Sequence, residues 1–162
     1  MQTKFNGAGI GALLAGRGHT LAAAESSAGG LINAALVAAP GASAWYLGGC
    51  VIYTAASREG LLGITADDMK GMRSASEPYA RLVARRVRET LGATWGLAET
   101  GASGPRGNRY GDAPGHACLA VSGPVEAAIT LETGSADREA NMRVFAQRAL
   151  ELLESCLTKD AP

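Results

Sequence analysis

The run from Leu21 to Gly30, LAAAESSAGG, constrains the fold of this chain more than any other stretch. Four small or apolar residues lead into a carboxylate, two serines, an alanine and two glycines, and a helix-forming pattern begins at Leu31. This order predicts a buried strand that enters a tight turn immediately before a helix. A serine in such a turn faces the free N–H groups of the helix start, where an anion or a developing oxyanion is stabilised. Ser26 is therefore the candidate nucleophile, and the amides of residues 27–30 are the candidate oxyanion or phosphate donors.

The same two serines have a purely structural alternative. Serine is a preferred residue immediately before a helix, because its hydroxyl accepts a hydrogen bond from an unpaired N–H of the first turn. Ser26 and Ser27 then do no more than cap the helix that begins at Leu31. The glycines that follow permit either arrangement, since they let the backbone approach a ligand or close a tight turn.

Helical and strand-like segments alternate along the rest of the chain. The predicted elements are a helix over 5–17, a strand over 19–24, a helix over 31–38, a strand over 45–53, helices over 55–62 and 65–72, a helix from Ser76 to Leu91, a strand over 95–100, a Gly-rich loop over 101–114, a hairpin of strands 115–121 and 125–133, and a helix over 136–157. This order predicts one α/β domain over residues 1–162, a three-layer α/β/α sandwich on a mixed, mainly parallel sheet of about five strands. The apolar run over 45–53 is predicted to be a strand buried on both faces.

Composition excludes several classes of function. The 15 basic and 15 acidic residues balance, so neither a nucleic acid nor a membrane surface is expected as the main partner. No run is long enough to cross a bilayer, and the N-terminus lacks the features of a signal peptide. The three cysteines, Cys50, Cys118 and Cys156, show no zinc-binding spacing, so we expect reduced thiols and a cytoplasmic protein. We expect neither a metal nor a cofactor.

Three predicted strands end in polar or Gly-rich sequence. Ligands of open α/β sheets bind at the carboxyl ends of strands, which here carry Glu25–Ser26, Tyr53–Thr54 and Thr100–Gly101. The loop that follows, with Gly101, Gly104 and Gly107, matches neither a Walker A loop nor a dinucleotide fingerprint. Phosphate-binding guanidinium groups are available from Arg106, Arg109 and Arg138, although each of these taken alone is more typical of an ordinary surface arginine.

These pieces together resemble a known family. The segments ESSAGG, PGASAW, GGCVIYTAASREGLLGI, SASEP, TGASGPRG and ADRE occur in the order of the CinA C-terminal domain, the nicotinamide-mononucleotide deamidase family. The usual family pattern is ESCTGG, PGSS, a strand ending in YSNEAK followed by LLGV, AVSEP, SGIAGP with a Gly-rich loop and VGT, and GDR. The resemblance covers nearly the whole chain. It implies a three-layer α/β/α fold and the metal-free hydrolysis of nicotinamide mononucleotide to nicotinate mononucleotide and ammonia.

The resemblance also implies site residues. The catalytic positions are Ser26 as the nucleophile, Tyr53, and Arg58 at the place of the lysine base of YSNEAK. The implied substrate-binding residues are Glu25, Ser27, Ala28, Gly29, Gly30, Gly101, Gly104 and Arg138. The resemblance further suggests a homodimer or higher homo-oligomer, with a contact near Trp45 and Tyr46.

The departures from the family pattern gather at the site. Arginine stays protonated and cannot accept the serine proton as a neutral lysine does, so Arg58 removes the usual base. Ser27, Ala28, Ala55 and His116 replace a cysteine, a threonine, an asparagine and a threonine of the family motifs.

The missing lysine leaves three hypotheses. An active enzyme needs another base, either His116 or a water held by Glu25, with Arg58 acting as an electrostatic or phosphate-binding group. The alternative is a catalytically silent nucleotide-binding or regulatory module. A third hypothesis is a structural or regulatory oligomer that binds no ligand.

Overall fold

The computed structural model describes residues 7–160. Its elements are α1 (Gly7–Ala15), β1 (Leu21–Glu25), α2 (Leu31–Val37), a short 3-10 helix (Ala42–Ala44), β2 (Tyr46–Val51), α3 (Ala55–Leu62), α4 (Glu77–Leu91), β3 (Trp95–Ala102), β4 (His116–Ser122), β5 (Ala127–Glu132) and α5 (Arg138–Lys159). The first residue of the predicted N-terminal helix, Phe5, lies outside the described range. Most boundaries agree with the sequence prediction within about three residues, the scatter that is normal for element ends.

The five strands form one mixed sheet in the order β2-β1-β3-β4-β5. β1 pairs in parallel with both β2 and β3, whereas β4 pairs antiparallel with β3 and with β5. The predicted α/β fold with a mixed five-stranded sheet is confirmed, but "mainly parallel" overstates it, since the pairs divide equally. The cause is that β3, β4 and β5 follow one another without a crossover helix, and only such a crossover returns the chain to a parallel direction.

Helices cover both faces of the sheet. One layer contains α1, α2 and α5, and the opposite layer contains α4 with α3 packed against it. The sheet accepts helices closely because its central strands carry small side chains: every residue of β1 is buried, and Gly96 of β3 lies directly beneath α4, where a Cβ atom would collide with the carbonyl oxygen of Ala84. Close packing of this kind fixes the strand ends, and therefore the loops that follow them.

Two local predictions were wrong. The strand predicted over 45–53 is shorter, and its burial alternates instead of being continuous, because β2 is an edge strand with Leu47 and Val51 exposed. The segment 65–72 forms turns in place of the predicted helix. Thr65 and Asp68 bond reciprocally, side chain to backbone, as at a helix start, but the segment forms only turns that end at Gly71, whose φ is +76°.

The region around Trp45 differs from the predicted contact surface. Trp45 is buried against Gly11 of α1, and Tyr46 is half-buried with its hydroxyl donating to Asn33. Burial raises the pKa of Tyr46 to about 12. Among residues 7–160, no helix is long and apolar enough to cross a membrane.

Candidate functional site

The carboxyl ends of the three parallel strands enclose a cleft of about 400 Å³. Ser26 follows β1, Tyr53 and Thr54 follow β2, and Thr100 and Gly101 belong to the end of β3. The remaining lining residues are Ile52, Ala55, Arg58, Ser74, Ala75, Tyr79, Asn108, Arg109 and Tyr110. The structure therefore brings the three predicted catalytic positions, Ser26, Tyr53 and Arg58, to one cavity.

A second cavity of about 200 Å³ adjoins the first. The two cavities share Tyr53, Gly101 and Asn108 as wall residues. The other residues of the second cavity are Ser27, Ala102, Ser103, Gly104, Arg106, Gly107 and Arg138. One ligand is therefore able to extend from Ser26 in the large cavity towards the predicted phosphate contact, Arg138, in the small one.

Glu25 is fully buried beneath the loop that carries Ser26. Its Oε1 atom accepts hydrogen bonds from the amides of Gly30 (2.8 Å) and Ile32 (3.1 Å), and its Oε2 atom accepts from the amide (2.8 Å) and side chain (2.7 Å) of Asn33. A carboxylate at a helix N-terminus satisfies the unpaired donors and complements the helix dipole. Glu25 thus anchors α2 and lines neither cavity, which differs from its predicted role in holding substrate or a water.

A second buried carboxylate, Glu99 of β3, holds the same loop from the other side. Its Oε2 atom accepts from the amides of Ser26 (3.0 Å) and Ala28 (2.9 Å), and its Oε1 atom accepts from the hydroxyl of Ser27. Burial raises the pKa of Glu99, and these three donors oppose that rise. The loop between β1 and α2 is therefore fixed by two acidic side chains that do not reach the cleft.

The backbone amides predicted to stabilise an oxyanion are mostly occupied. Those of Ala28 and Gly30 donate to the two carboxylates, and that of Gly29 donates to the carbonyl of Ser26 (3.1 Å). Over residues 7–160, the Ser27 amide is the one member of the predicted set that has no acceptor in the protein. The prediction for Ala28, Gly29 and Gly30 is therefore corrected: they shape the turn, with φ of +70° at Gly29 and +105° at Gly30.

The structural alternative for the two serines is also wrong. The residue before α2 is Gly30, with no side-chain cap, because Glu25 supplies the acceptor from within the strand. The hydroxyl of Ser27 is committed to Glu99. By contrast, Ser26 lines the large cavity, and its hydroxyl has no hydrogen-bond partner in the part of the chain that the structure describes. Ser26 is consequently the serine that is available to a ligand.

Arg58 enters the cleft from the first turn of α3. Thr54 and Ser57 cap this helix reciprocally, side chain to backbone in both directions, which fixes the turn that carries Arg58. The guanidinium donates from Nη1 to Ser74 Oγ (3.1 Å) and lies 5.7 Å from the centre of the Tyr79 ring. A group held in this way binds anions but cannot act as a base.

Arg138 and Tyr53 meet at the boundary of the two cavities. Asp137 caps α5 by accepting from the Ala140 amide (3.1 Å), which places Arg138 at the first helical position. Arg138 donates to the hydroxyl of Tyr53 (3.0 Å) and to the carbonyl of Gly104. Tyr53 is largely exposed, with 61 % of its surface accessible, and so does not end a buried strand as predicted.

Asn141 fixes the wall on which Arg138 lies. It is buried, and its amide group donates to the carbonyls of Ser103 and Ser135 (both 2.8 Å), while its carbonyl accepts from Thr133 (2.6 Å). These bonds join the loop after β3 to the segment before α5. The Gly104–Pro105 peptide in this wall is cis.

The loop after β3 presents a further arginine and a tyrosine. Arg109 lies 5.2 Å and Arg73 5.0 Å from the centre of the Tyr110 ring. The hydrogen bond from Arg109 is the main cause of a lowered Tyr110 pKa. Arg73 is neutralised by Asp112 (2.6 and 3.1 Å), which the loop itself supplies.

Positive charge dominates both cavities. Four arginines line them: Arg58, Arg106, Arg109 and Arg138. None of the four has a carboxylate oxygen within 4.0 Å among the described residues. Guanidinium groups that lack a carboxylate partner and converge on a cavity favour an anionic ligand, above all one carrying a phosphate or a carboxylate.

His116, one of the two bases considered from the sequence, lies outside both cavities. It is buried, with Nδ1 2.5 Å from Glu132 Oε1 and Nε2 2.8 Å from the Ala75 carbonyl oxygen. Burial lowers its pKa, but the Ala75 carbonyl, Glu132 and Asp112 outweigh that effect and raise it overall. A doubly engaged imidazole of this kind does not accept a proton from Ser26.

The lysines offer no replacement base in the described structure. Lys70 is exposed and paired with Asp67 (3.2 Å), and Lys159 ends α5. Neither lines a cavity. Lys4 lies outside the described residues.

Sequence reasoning missed two residues that organise the site. Glu99 had a visible signal, since it is an acidic residue inside the apolar strand WGLAETGA, and a buried carboxylate requires partners. The sequence signal for Asn141 was weaker. An asparagine on the inner face of a helix indicates no particular role unless the loops that it binds are known. Both act by fixing loops and not by contacting the cavities.

Comparison with protein-family models assigns residues 6–157 to the CinA C-terminal domain. A CinA-like protein of Gloeobacter violaceus is 42 % identical over 144 residues, which are 88 % of this chain and 34 % of that protein. A CinA-like protein of Anaeromyxobacter sp. (strain K) is 39 % identical over 146 residues, 90 % of this chain and 36 % of that protein. The chain thus spans about a third of the length of these relatives.

Solved structures show the same fold. A competence-damaged protein (CinA) superfamily protein of Klebsiella pneumoniae superposes with a TM-score of 0.89 at 24 % identity, covering 98 % of this chain and 99 % of that one. The competence/damage inducible protein CihA of Agrobacterium tumefaciens superposes with a TM-score of 0.80 at 26 % identity, covering 97 % and 99 %. The chain therefore has the fold of these solved structures.

Proposed function

Because this chain belongs to the CinA C-terminal domain family, we propose that its cleft binds a phosphorylated pyridine nucleotide of the nicotinamide mononucleotide type. The observation that carries the proposal is the convergence of four arginines without carboxylate partners on two joined cavities, with Ser26 in the wall. Phosphate is the group that such guanidinium forks match best. The family resemblance of the surrounding motifs selects a pyridine nucleotide within that class.

The two cavities suggest how the ligand lies. The phosphate occupies the small cavity beside Arg138 and Arg106, where Arg138 is already oriented by Tyr53 and Gly104. The pyridine ring and its carboxamide occupy the large cavity beside Ser26. Tyr53 lies between the two cavities and contacts both ends of the ligand.

Hydrolysis of the carboxamide is the second candidate function, and the unpartnered Ser26 hydroxyl favours it. In that reaction Ser26 Oγ attacks the carboxamide carbon, the serine proton passes to a base, ammonia leaves, and water releases the nicotinate nucleotide. The Ser27 amide and Arg58 are the groups available to stabilise the oxyanion. No side chain among residues 7–160 is positioned as the base, which is why binding and not turnover is the primary proposal.

One experiment separates the two functions. Calorimetric titration of nicotinamide mononucleotide is paired with an assay of ammonia release, for the wild type, Ser26→Ala and Arg58→Lys. The proposal predicts saturable binding without measurable ammonia in the wild type, and ammonia release on restoring the lysine in Arg58→Lys. Turnover in the wild type that disappears in Ser26→Ala would establish the hydrolase instead. Absence of binding to all three proteins would refute both functions.

A control separates loss of the phosphate contact from loss of charge. Arg138→Gln removes a guanidinium from the small cavity, whereas Arg85→Gln removes one from the exposed face of α4, away from both cavities. We predict weaker nucleotide binding in the first variant only. The expected homodimer is a separate prediction, which sedimentation analysis tests without ligand.

A further inference from the structure

We propose that the cleft is selective for a nucleotide whose ring carries a carboxylate in place of a carboxamide, so that the acid form binds more tightly than the amide. The proposal rests on the proposed function, since it assumes that a pyridine nucleotide occupies the two cavities. It specifies the chemical class of that nucleotide: a ligand with two separate anionic groups, the phosphate and a ring carboxylate.

The positive charge divides into one pair of arginines in each cavity, which favours a ligand with two separate anionic groups. The small cavity has Arg106 and Arg138, which together match one phosphate. The large cavity has its own pair, Arg58 and Arg109, also without a carboxylate within 4.0 Å in the described part of the chain. A neutral carboxamide in the large cavity leaves that pair uncompensated, whereas a carboxylate neutralises it.

The position of Arg58 points to a carboxylate beside Ser26. Ser74 Oγ binds Nη1 of the guanidinium, and the Tyr79 ring holds it from one side. Arg58 has five N–H donors, of which the Ser74 hydroxyl takes one, and the Tyr79 side chain is a second neighbour. Donors remain for the oxygens of a carboxylate, which guanidinium groups match well. Several residues with uncharged hydroxyls line the same cavity, Ser26 and Thr100 among them, and no acidic residue does. An acid is therefore admitted without like-charge repulsion.

Recognition of a ring carboxylate also explains why no general base lies beside Ser26. A carboxylate is already the hydrolysed form of a carboxamide, and a site that binds it needs a hydroxyl as hydrogen-bond donor and no group to take the serine proton. Arg58 and Ser26 then form one recognition element for the ring acid: the guanidinium supplies charge and donors, and the hydroxyl supplies a further donor.

The test compares two ligands that differ only at this group. Nicotinate mononucleotide and nicotinamide mononucleotide share the phosphate, the ribose and the ring, so their affinity ratio isolates the carboxylate. We expect the acid to bind about tenfold more tightly to the wild type, the effect of one charged hydrogen-bonded pair, with a ratio that falls as salt rises. In Arg58→Gln the two affinities become about equal, because the variant loses the positive charge that distinguishes the acid from the amide.

The outcomes are distinguishable from failure of the proposed function. Equal binding of both nucleotides, or tighter binding of the amide, overturns the inference and leaves the proposed function intact. Failure of both ligands to bind refutes the proposed function itself. Arg85→Gln serves as the charge-matched control, because it removes a guanidinium outside the cleft and should preserve the wild-type ratio.

Discussion

Replacing Glu25 by glutamine should destabilise the protein strongly, although the two side chains have the same shape. Both carboxylate oxygens of Glu25 accept hydrogen bonds: Oε1 from two backbone amides and Oε2 from the backbone and side chain of Asn33. Glutamine has one carbonyl oxygen and one NH₂ group. Whichever way the amide is turned, its NH₂ group faces two N–H donors, and those two donors lose their acceptor inside the protein.

The loss in the free energy of unfolding follows from the number of donors left without an acceptor. A buried donor left without an acceptor costs about 1–3 kcal/mol, so two of them cost about 2–6 kcal/mol. The loss of a negative charge at the start of α2 adds to this cost. A typical domain is stable by only about 5–15 kcal/mol, so the variant should lie near the limit of folding at 37 °C.

The same substitution at Glu99 should have little effect, which provides a matched control. There one oxygen accepts two backbone amides and the other accepts only the hydroxyl of Ser27. A glutamine at position 99 keeps its carbonyl on the two amides and turns its NH₂ group to Ser27, whose hydroxyl rotates to accept. Since burial raises the pKa of Glu99, removing the charge also removes a desolvation cost, and we expect a change within about 1 kcal/mol.

Urea denaturation at pH 7 measures both variants against the wild type. The expected result is a large fall in the free energy of unfolding for Glu25→Gln, with an unchanged m-value, and a small change for Glu99→Gln. Equal losses in the two variants, or a larger loss for Glu99→Gln, would show that the donor count of the Ser26 loop is not what determines its stability.

Three further predictions concern Asn141, His116 and Gly104. Asn141→Asp should lower the free energy of unfolding by about 2–4 kcal/mol in urea denaturation, because a carboxylate then faces the two carbonyl oxygens that the amide now binds, and a neutral result would refute this role. The pKa of His116 is raised in the folded protein, so its contribution to stability is complete below about pH 6.5 and declines as the pH rises through the folded value. The stability difference between the wild type and His116→Gln should therefore shrink at alkaline pH, and a difference that grows would contradict the assignment. Gly104→Ala should weaken nucleotide binding in calorimetry, since a Cβ atom there lies 2.7 Å from the Ala136 carbonyl, whereas Gly111→Ala, with a similar positive φ but open space, should bind normally.

Much of the fold was predictable from local signals. The sequence Ser76-Glu77-Pro78 predicted the start of α4, and the turn Ser122-Gly123-Pro124 predicted the β4–β5 hairpin. Each of these features is encoded within a few residues. The burial of the strand over 45–53 was not, because the edge position of β2 depends on the order of strands in the sheet, which no short segment encodes.

The site was predictable in position but not in its supporting contacts. The sequence brought Ser26, Tyr53 and Arg58 to one edge, because parallel strands end on the same side of a sheet. It assigned Glu25 to the cleft, whereas its side chain points into the protein and anchors α2. The alternation of side chains along a strand does not predict the direction of the Glu25 side chain, because every residue of β1 is buried and neither face is marked by exposure.

Hydrogen bonds between residues far apart in the sequence account for the features of the site that the sequence did not predict. Glu99 binds residues 26–28, more than 70 positions earlier, and His116 binds the carbonyl of Ala75 from 41 positions away. The second of these contacts removes His116 from the list of bases. Such pairings arise only when the sheet register is fixed, so single-sequence patterns contain no signal for them.

The most direct test of the account is the position of nicotinamide mononucleotide in crystals of the protein grown or soaked with it. The account predicts difference density that spans both cavities, with the phosphate in hydrogen-bond contact with Arg138 and the carboxamide against Ser26 and Arg58. Nucleotide density located away from the carboxyl ends of β1, β2 and β3, with the arginine-lined cavities filled only by solvent, would contradict it.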